Sequence, residues 1–192
     1  MKNAFQTIML MANMILLFTV TQAHAQKDAY GVPDVPSALK IDPKTDKLAF
    51  YLTATGFQVY DCKKDPSDPN GPNKWILREP VADLFNAQGK KVGTHGKGPV
   101  WRSILPNDAS EVTGILVDGK PKGKADSPSA GAIPWLLLDA KAQGKGLFAG
   151  VTKIQRLETN GGRAPEGCCD ASGCCKEVRV PYTATYYFYV SK

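Results

Sequence analysis

The C-terminal stretch constrains the fold of this chain more than any other. Val178, Val180, Tyr182, Ala184, Tyr186, Phe188 and Val190 share one face of an extended chain, while Arg179, Pro181, Thr183, Thr185, Tyr187 and Tyr189 share the other. Side chains alternate across a strand, and β-branched and aromatic residues favour that conformation, so the spacing predicts one long, bent strand. Pro181 has no N–H to donate and is expected at an edge or a bulge.

The rest of the chain reads the same way. Leu48, Phe50, Leu52 and Ala54 alternate with Ala49, Tyr51 and Thr53; Thr55-Gly56 interrupts them and Phe57 to Cys62 resumes, which reads as a hairpin. Lys63 to Asn73 holds three prolines and several charges and reads as a surface loop, after which Trp75-Ile76-Leu77 restarts a strand. A second hairpin is expected from Asp83-Leu84-Phe85 through the turn-rich Asn86 to Gly89 into Lys90 to Gly93. Further strands are expected at Val112 to Val117, Ile133 to Leu138 and Val151 to Thr159, the last with Val151, Ile154 and Leu157 also at helical spacing. Many short strands separated by turn signals predict an all-β single domain, a β-sandwich or barrel-like fold with long loops.

The N-terminus begins with Lys2, runs through apolar Ile8 to Val20 and reaches Ala23-His24-Ala25. A positive start, an apolar core too short to span a bilayer and a small-x-small site predict a signal peptide over residues 1–25, leaving a domain of 26–192 in the periplasm or outside the cell. No membrane insertion is expected after cleavage. Loss of Lys2 leaves 23 basic against 18 acidic residues, a scattered net charge of +5. The most basic segment, Gly119 to Lys124, carries no aromatic residue to stack on a base, so no nucleic-acid partner is expected. A monomer binding an extracellular or envelope ligand, a glycan or a protein, is the expected form.

Four of the five cysteines, Cys168, Cys169, Cys174 and Cys175, crowd into "GCCDASGCC", with Cys62 far upstream. The C-C-x4-C-C spacing does not match the paired C-x2-C of common zinc sites, and exported chains meet oxidising conditions, so disulfides are expected and a metal is not. Five cysteines allow at most two bonds and leave one over.

Residues 93–101, GTHGKGPVW, surround His95, the one histidine outside the leader. Glycine-rich backbone admits a ligand closely and histidine is a ready general base. A hydrolytic constellation of His95, Asp108 and Ser110 can be written, but no G-x-S-x-G elbow surrounds any serine. The alternative is a tight turn that His95 locks by bonding the backbone, and the residues lean against catalysis. Trp75, Trp101 and Trp135 suit either a core or a stacking platform. Arg156 suits a structural ion pair or an anion in a pocket. His95, Trp101 and Arg156 are thus the candidate ligand-binding residues. Asp65 to Asn70 lacks calcium-loop spacing and reads as solvated.

Five strings in order, "FYLTATGFQVYDC", "LFNAQGKKVGTHGKGPVW", "AIPWLLLDA", "GVTKIQRLETNGGRAP" and "VPYTATYYFY", resemble the exported family catalogued as domain of unknown function 3455. The resemblance runs from about Pro36 to Val190 and implies no established activity. Some fungal relatives carry a malate dehydrogenase label, but no G-x-G-x-x-G stands here between a strand and a helix, so no cofactor is expected. The family pattern places an aromatic residue after the histidine, where this chain has Gly96, and one cysteine where this chain has four. It implies a bond from Cys62 to Cys169; among the remaining cysteines a second bond would close the short loop between Cys168 and Cys174 or Cys175.

Overall fold

In the computed structural model, residues 31–166 and 176–192 are described. The chain divides between Val32 and Pro33, and the unit Pro33–Lys192 holds every strand found among the described residues. These strands are β1 (Asp46–Asp65), β2 (Asp68–Phe85), β3 (Lys91–Gly96), β4 (Val100–Ser103), β5 (Glu111–Ile115), β6 (Gly123–Ala125), β7 (Trp135–Gln143), β8 (Val151–Gly161) and β9 (Glu177–Ser191). Neighbours are antiparallel and follow chain order from β1 to β5 and from β7 to β9. β9 returns to β1, and β5 pairs with the second half of β7, so eight strands close into a barrel. β6 takes over beside the first half of β7, where Lys124 lies opposite Leu136. Of the two all-β architectures expected, the barrel is the one that forms. Closure removes the free edges that an open sheet would expose.

Strand alternation decides what fills the interior. Leu52 and Ala54 of β1, Leu84 of β2, Val112 of β5, Ile154 of β8 and Phe188 of β9 are all buried in one cluster. Phe50 stacks on Phe188 with ring centroids 4.8 Å apart, and Phe148 lies 5.3 Å from the same ring. These side chains pack one half of the barrel solid. On the outer face, the 3-10 turn Ser37–Leu39 packs on β6 and β7 and is tied to β8: Leu39 is fully buried, and Gln155 Nε2 donates to its carbonyl at 2.6 Å.

The long C-terminal strand is β9, with Tyr182, Ala184, Tyr186 and Phe188 turned inward. Pro181 lies one residue past the last pairing with β8, Gly161 with Tyr182, and so stands beyond the end of that ladder. Residues 151–161 are strand throughout, and the helical spacing there is not used.

Two expectations are corrected. Thr55-Gly56 makes no turn; β1 runs unbroken for 20 residues. Gly56 lies opposite both Ala82 and Tyr182, and a Cβ there would sit 2.2 Å from the Val81 carbonyl oxygen. The glycine lets neighbouring backbones close up where the barrel wall bends, a use of strand glycine that resembles a turn signal in sequence. Residues 63–73 are likewise no free loop. They form the tip of the β1–β2 hairpin, paired from Lys63 with Lys74 to Asp65 with Asp68, an arm projecting past the core where proline removes no interior hydrogen bond.

Candidate functional site

Beyond the packed half, the barrel holds a cavity of about 510 Å3. Its floor is aromatic. Trp101, on β4 and 1 % exposed, meets Tyr186 edge-on at 5.2 Å and Phe188 edge-on at 6.2 Å, which joins the floor to the core below. His95, opposite Trp101 on β3, lies flat on the indole with centroids 4.3 Å apart and planes 12° from parallel. Gly114 makes room for this layer, since a Cβ there would meet Leu138, Pro99 and Trp101 at once. Pro99, Pro134, Leu136 and Leu138 line the walls, and exposed Lys97 and Leu116 mark the opening to solvent.

His95 is both turn-lock and cavity wall. Its Nδ1 lies 2.9 Å from the Val100 carbonyl, which can only accept, so Nδ1 carries the proton and donates. That bond closes the β3–β4 turn. Burial, aided by the Arg156 charge, holds the imidazole pKa down at about 3, so the ring is neutral and a poor proton acceptor at neutral pH.

Arg156 reaches the cavity from β8, between Leu136 of β7 and Tyr186 of β9. Its Nε and Nη2 both donate to the Pro134 carbonyl, at 3.2 and 2.8 Å, which sets the plane of the guanidinium. Among the described residues it makes no ion pair with a carboxylate. The structural ion pair weighed for this residue is therefore not the arrangement found. Burial pushes the Tyr186 phenol up and the Arg156 charge pulls against it. At the cavity boundary Trp101 Nε1 is buried without an acceptor among the described residues, and Gln58 is buried beside the Tyr182 hydroxyl.

The three residues of the hydrolytic constellation are not brought into one arrangement. Asp108 and Ser110 do not line the cavity. Ser110 N–H donates to Asp108 Oδ1 at 2.8 Å, Leu147 N–H to Oδ2 at 2.9 Å, and Phe148 N–H to Ser110 Oγ at 3.1 Å. Together they clamp the β4–β5 loop onto the β7–β8 loop, and the hydrogen bonds from Ser110 and Leu147 hold the Asp108 carboxyl well below the usual carboxylate range. His95, Trp101 and Arg156, by contrast, share the one cavity. Trp101 offers no open stacking face, because it is buried under His95 and packed against Tyr186 and Phe188. Trp135 is buried, and Trp75 sits in the projecting arm opposite Cys62. Cys168, Cys169, Cys174 and Cys175 lie outside the described residues.

Gln58, Tyr186 and Leu136 are cavity residues that spacing alone did not single out. Tyr186 had a signal in the alternation of the last strand. Gln58 had a weaker one, a polar residue at an even-numbered, inward position of β1.

Fold and site define an eight-stranded antiparallel barrel that holds both a packed core and a cavity. The chain belongs to the DUF3455 family of proteins of unknown function, whose model matches residues 43–190. No curated protein and no solved structure matches it.

Proposed function

We propose that this protein is exported and takes a small organic molecule into the barrel cavity. The observation that carries the reading is the cavity itself: about 510 Å3 of largely apolar-walled space into which Arg156 brings a guanidinium that has no carboxylate partner among the described residues. Small-molecule sites are concave, mostly apolar and furnished with a few fixed polar groups, and the mouths of β-barrels are a usual place for them. A flat glycan platform or a protein-docking face fits less well, because the aromatic floor lies inside the barrel. Nothing in the arrangement favours the hydrolase alternative, since His95 is neutral and weakly basic while Asp108 and Ser110 are engaged elsewhere.

Export and disulfide bonding belong to the same reading. The leader-like residues 1–25 support the first. For the second, Cys62 N–H donates to the Lys176 carbonyl at 3.1 Å, so β1 meets the chain one residue after Cys175. Cys62 is not a residue without a partner. A bond from Cys62 into residues 168–175 would tie the base of the projecting arm to the start of β9.

Titration with N-phenyl-1-naphthylamine, a neutral apolar fluorophore, tests the cavity. Saturable one-to-one binding is expected, with affinity reduced about tenfold or more by Leu136→Trp, which fills the space. Absence of saturable binding, or indifference to Leu136→Trp in a folded variant, would refute the proposal.

A further inference from the structure

We infer that the ligand is an apolar carboxylate: a flat hydrocarbon body lying against the proline and leucine walls, with one carboxylate received by Arg156. This rests on the cavity being a ligand site and adds the chemistry of what it selects.

The charge around the cavity is one-sided. Arg156, Lys97 and Lys124 converge on it from β8, the β3–β4 turn and β6, and none of the three has a carboxylate partner among the described residues. The carboxylate that does line it, Glu79, is bound by Arg78 at 3.3 Å, and Arg78 also holds Asp61 and Glu177. With Lys63, which also pairs with Asp61, that cluster carries two cations against three carboxylates. The cavity lining itself carries four cations, Arg78, Lys97, Lys124 and Arg156, against the one carboxylate of Glu79. The half-buried Arg156 is the cation set deepest, amid groups that are neutral: the imidazole of His95 and the phenol of Tyr186. A charge withdrawn from water without a counter-charge is costly, and a bound anion would offset that cost.

The geometry narrows the anion. Pro134 occupies Nε and one N–H of Nη2, leaving the outer edge of the guanidinium for Tyr186 and the cavity. A planar fork with adjacent donors matches a carboxylate better than a point charge does. Trp101 Nε1, a buried donor with no acceptor among the described residues, adds a local dipole of the same sign. The apolar walls leave little to satisfy a second charge or a chain of hydroxyls.

Calorimetric titration of the wild-type protein with naphthalene-2-carboxylate, 2-naphthalenemethanol and 2-naphthylmethylammonium separates charge from shape. The carboxylate is expected to bind about tenfold or more tighter than the alcohol, and the ammonium weakest. Arg156→Met should abolish the carboxylate's advantage, Arg156→Lys should retain part of it, and the pair Lys97→Gln with Lys124→Gln should reduce it less than Arg156→Met does. Should Arg156→Met fail to fold, the wild-type series and the lysine pair still decide. Equal binding of carboxylate and alcohol overturns the inference, as does a preference that survives Arg156→Met, or tighter binding of 2-naphthyl phosphate. Those results would leave the cavity standing if N-phenyl-1-naphthylamine binds; failure of every naphthalene probe, the neutral one included, removes the cavity reading as well.

Discussion

His95 shows how one side chain can serve a wall and a turn together. Donation from Nδ1 to Val100 favours the charged ring, but burial outweighs it and keeps the imidazole on Trp101 neutral in the folded state down to a pKa of about 3. The unfolded chain protonates at the ordinary value of 6.5. Because the folded pKa lies below the unfolded one, the unfolded state binds more protons in between, and stability falls as pH drops from about 6.5 toward 3. Urea unfolding at stepped pH is expected to show a slope of up to about 1.4 kcal/mol per pH unit from this residue. Below pH 4 the carboxylates held low by hydrogen bonds, Asp46 and Asp108, add to the loss in the same direction. His24 aside, no other histidine titrates in this range, so His95→Gln should flatten the slope between pH 6 and 4.5. An unchanged slope would mean that the ring is not buried neutral.

Among the elements, β1 does the most to shape the barrel. It pairs with β2 on one side and β9 on the other along most of its length, and its bulge between Val59 and Tyr60 marks where the wall curves. Gly56 is a point of close backbone approach, where an added Cβ would meet Val81 and Ala82 within 2.5 Å. Gly56→Ala is expected to cost about 2 to 3 kcal/mol, because backbone on both sides must move. Gly96, one residue after His95, has nothing within 4 Å of the place a Cβ would take and no left-handed φ. Gly96→Ala should therefore be nearly neutral, and the position has room for the aromatic residue that the family resemblance places there. Denaturant midpoints of the two variants check the contrast; similar losses at both sites would discredit close approach as the reason for Gly56.

At the scale of the molecule, the projecting β1–β2 arm is the part least held by the core. Its pairing with β9 ends at Asp61 with Glu177, one residue from Cys62. A bond from Cys62 into residues 168–175 would close a loop of about 100 residues and stabilise the fold by roughly 3 to 5 kcal/mol. Thermal melts with and without reductant should differ by a corresponding margin, and Cys62→Ser should lower the oxidised midpoint toward the reduced one. Non-reducing peptide mapping would identify the pair. Labelling of all five thiols in the native protein under oxidising conditions would end the proposal.

Much of this structure is legible from local pattern. Period-2 alternation marks β9 and its inward face, turn residues mark the β2–β3 hairpin, and His95, Trp101 and Arg156 stand out by residue type in a chain whose one other histidine is His24. These features are local because strand alternation and turn chemistry act over a few residues. Gly56 is ambiguous for the same local reason, since a glycine for a turn and a glycine for close backbone contact look alike without the neighbouring strand. Which strands are neighbours was decided only in three dimensions. Closure through β5 with β7 and β9 with β1 placed Arg156 beside Tyr186, set His95 on Trp101 and separated both from Asp108 and Ser110. The chain by itself determined that it would form strands with one apolar face; the tertiary structure decided that this face would close around a half-filled interior, because only the register and curvature of the whole sheet determine where side chains run out and a cavity begins.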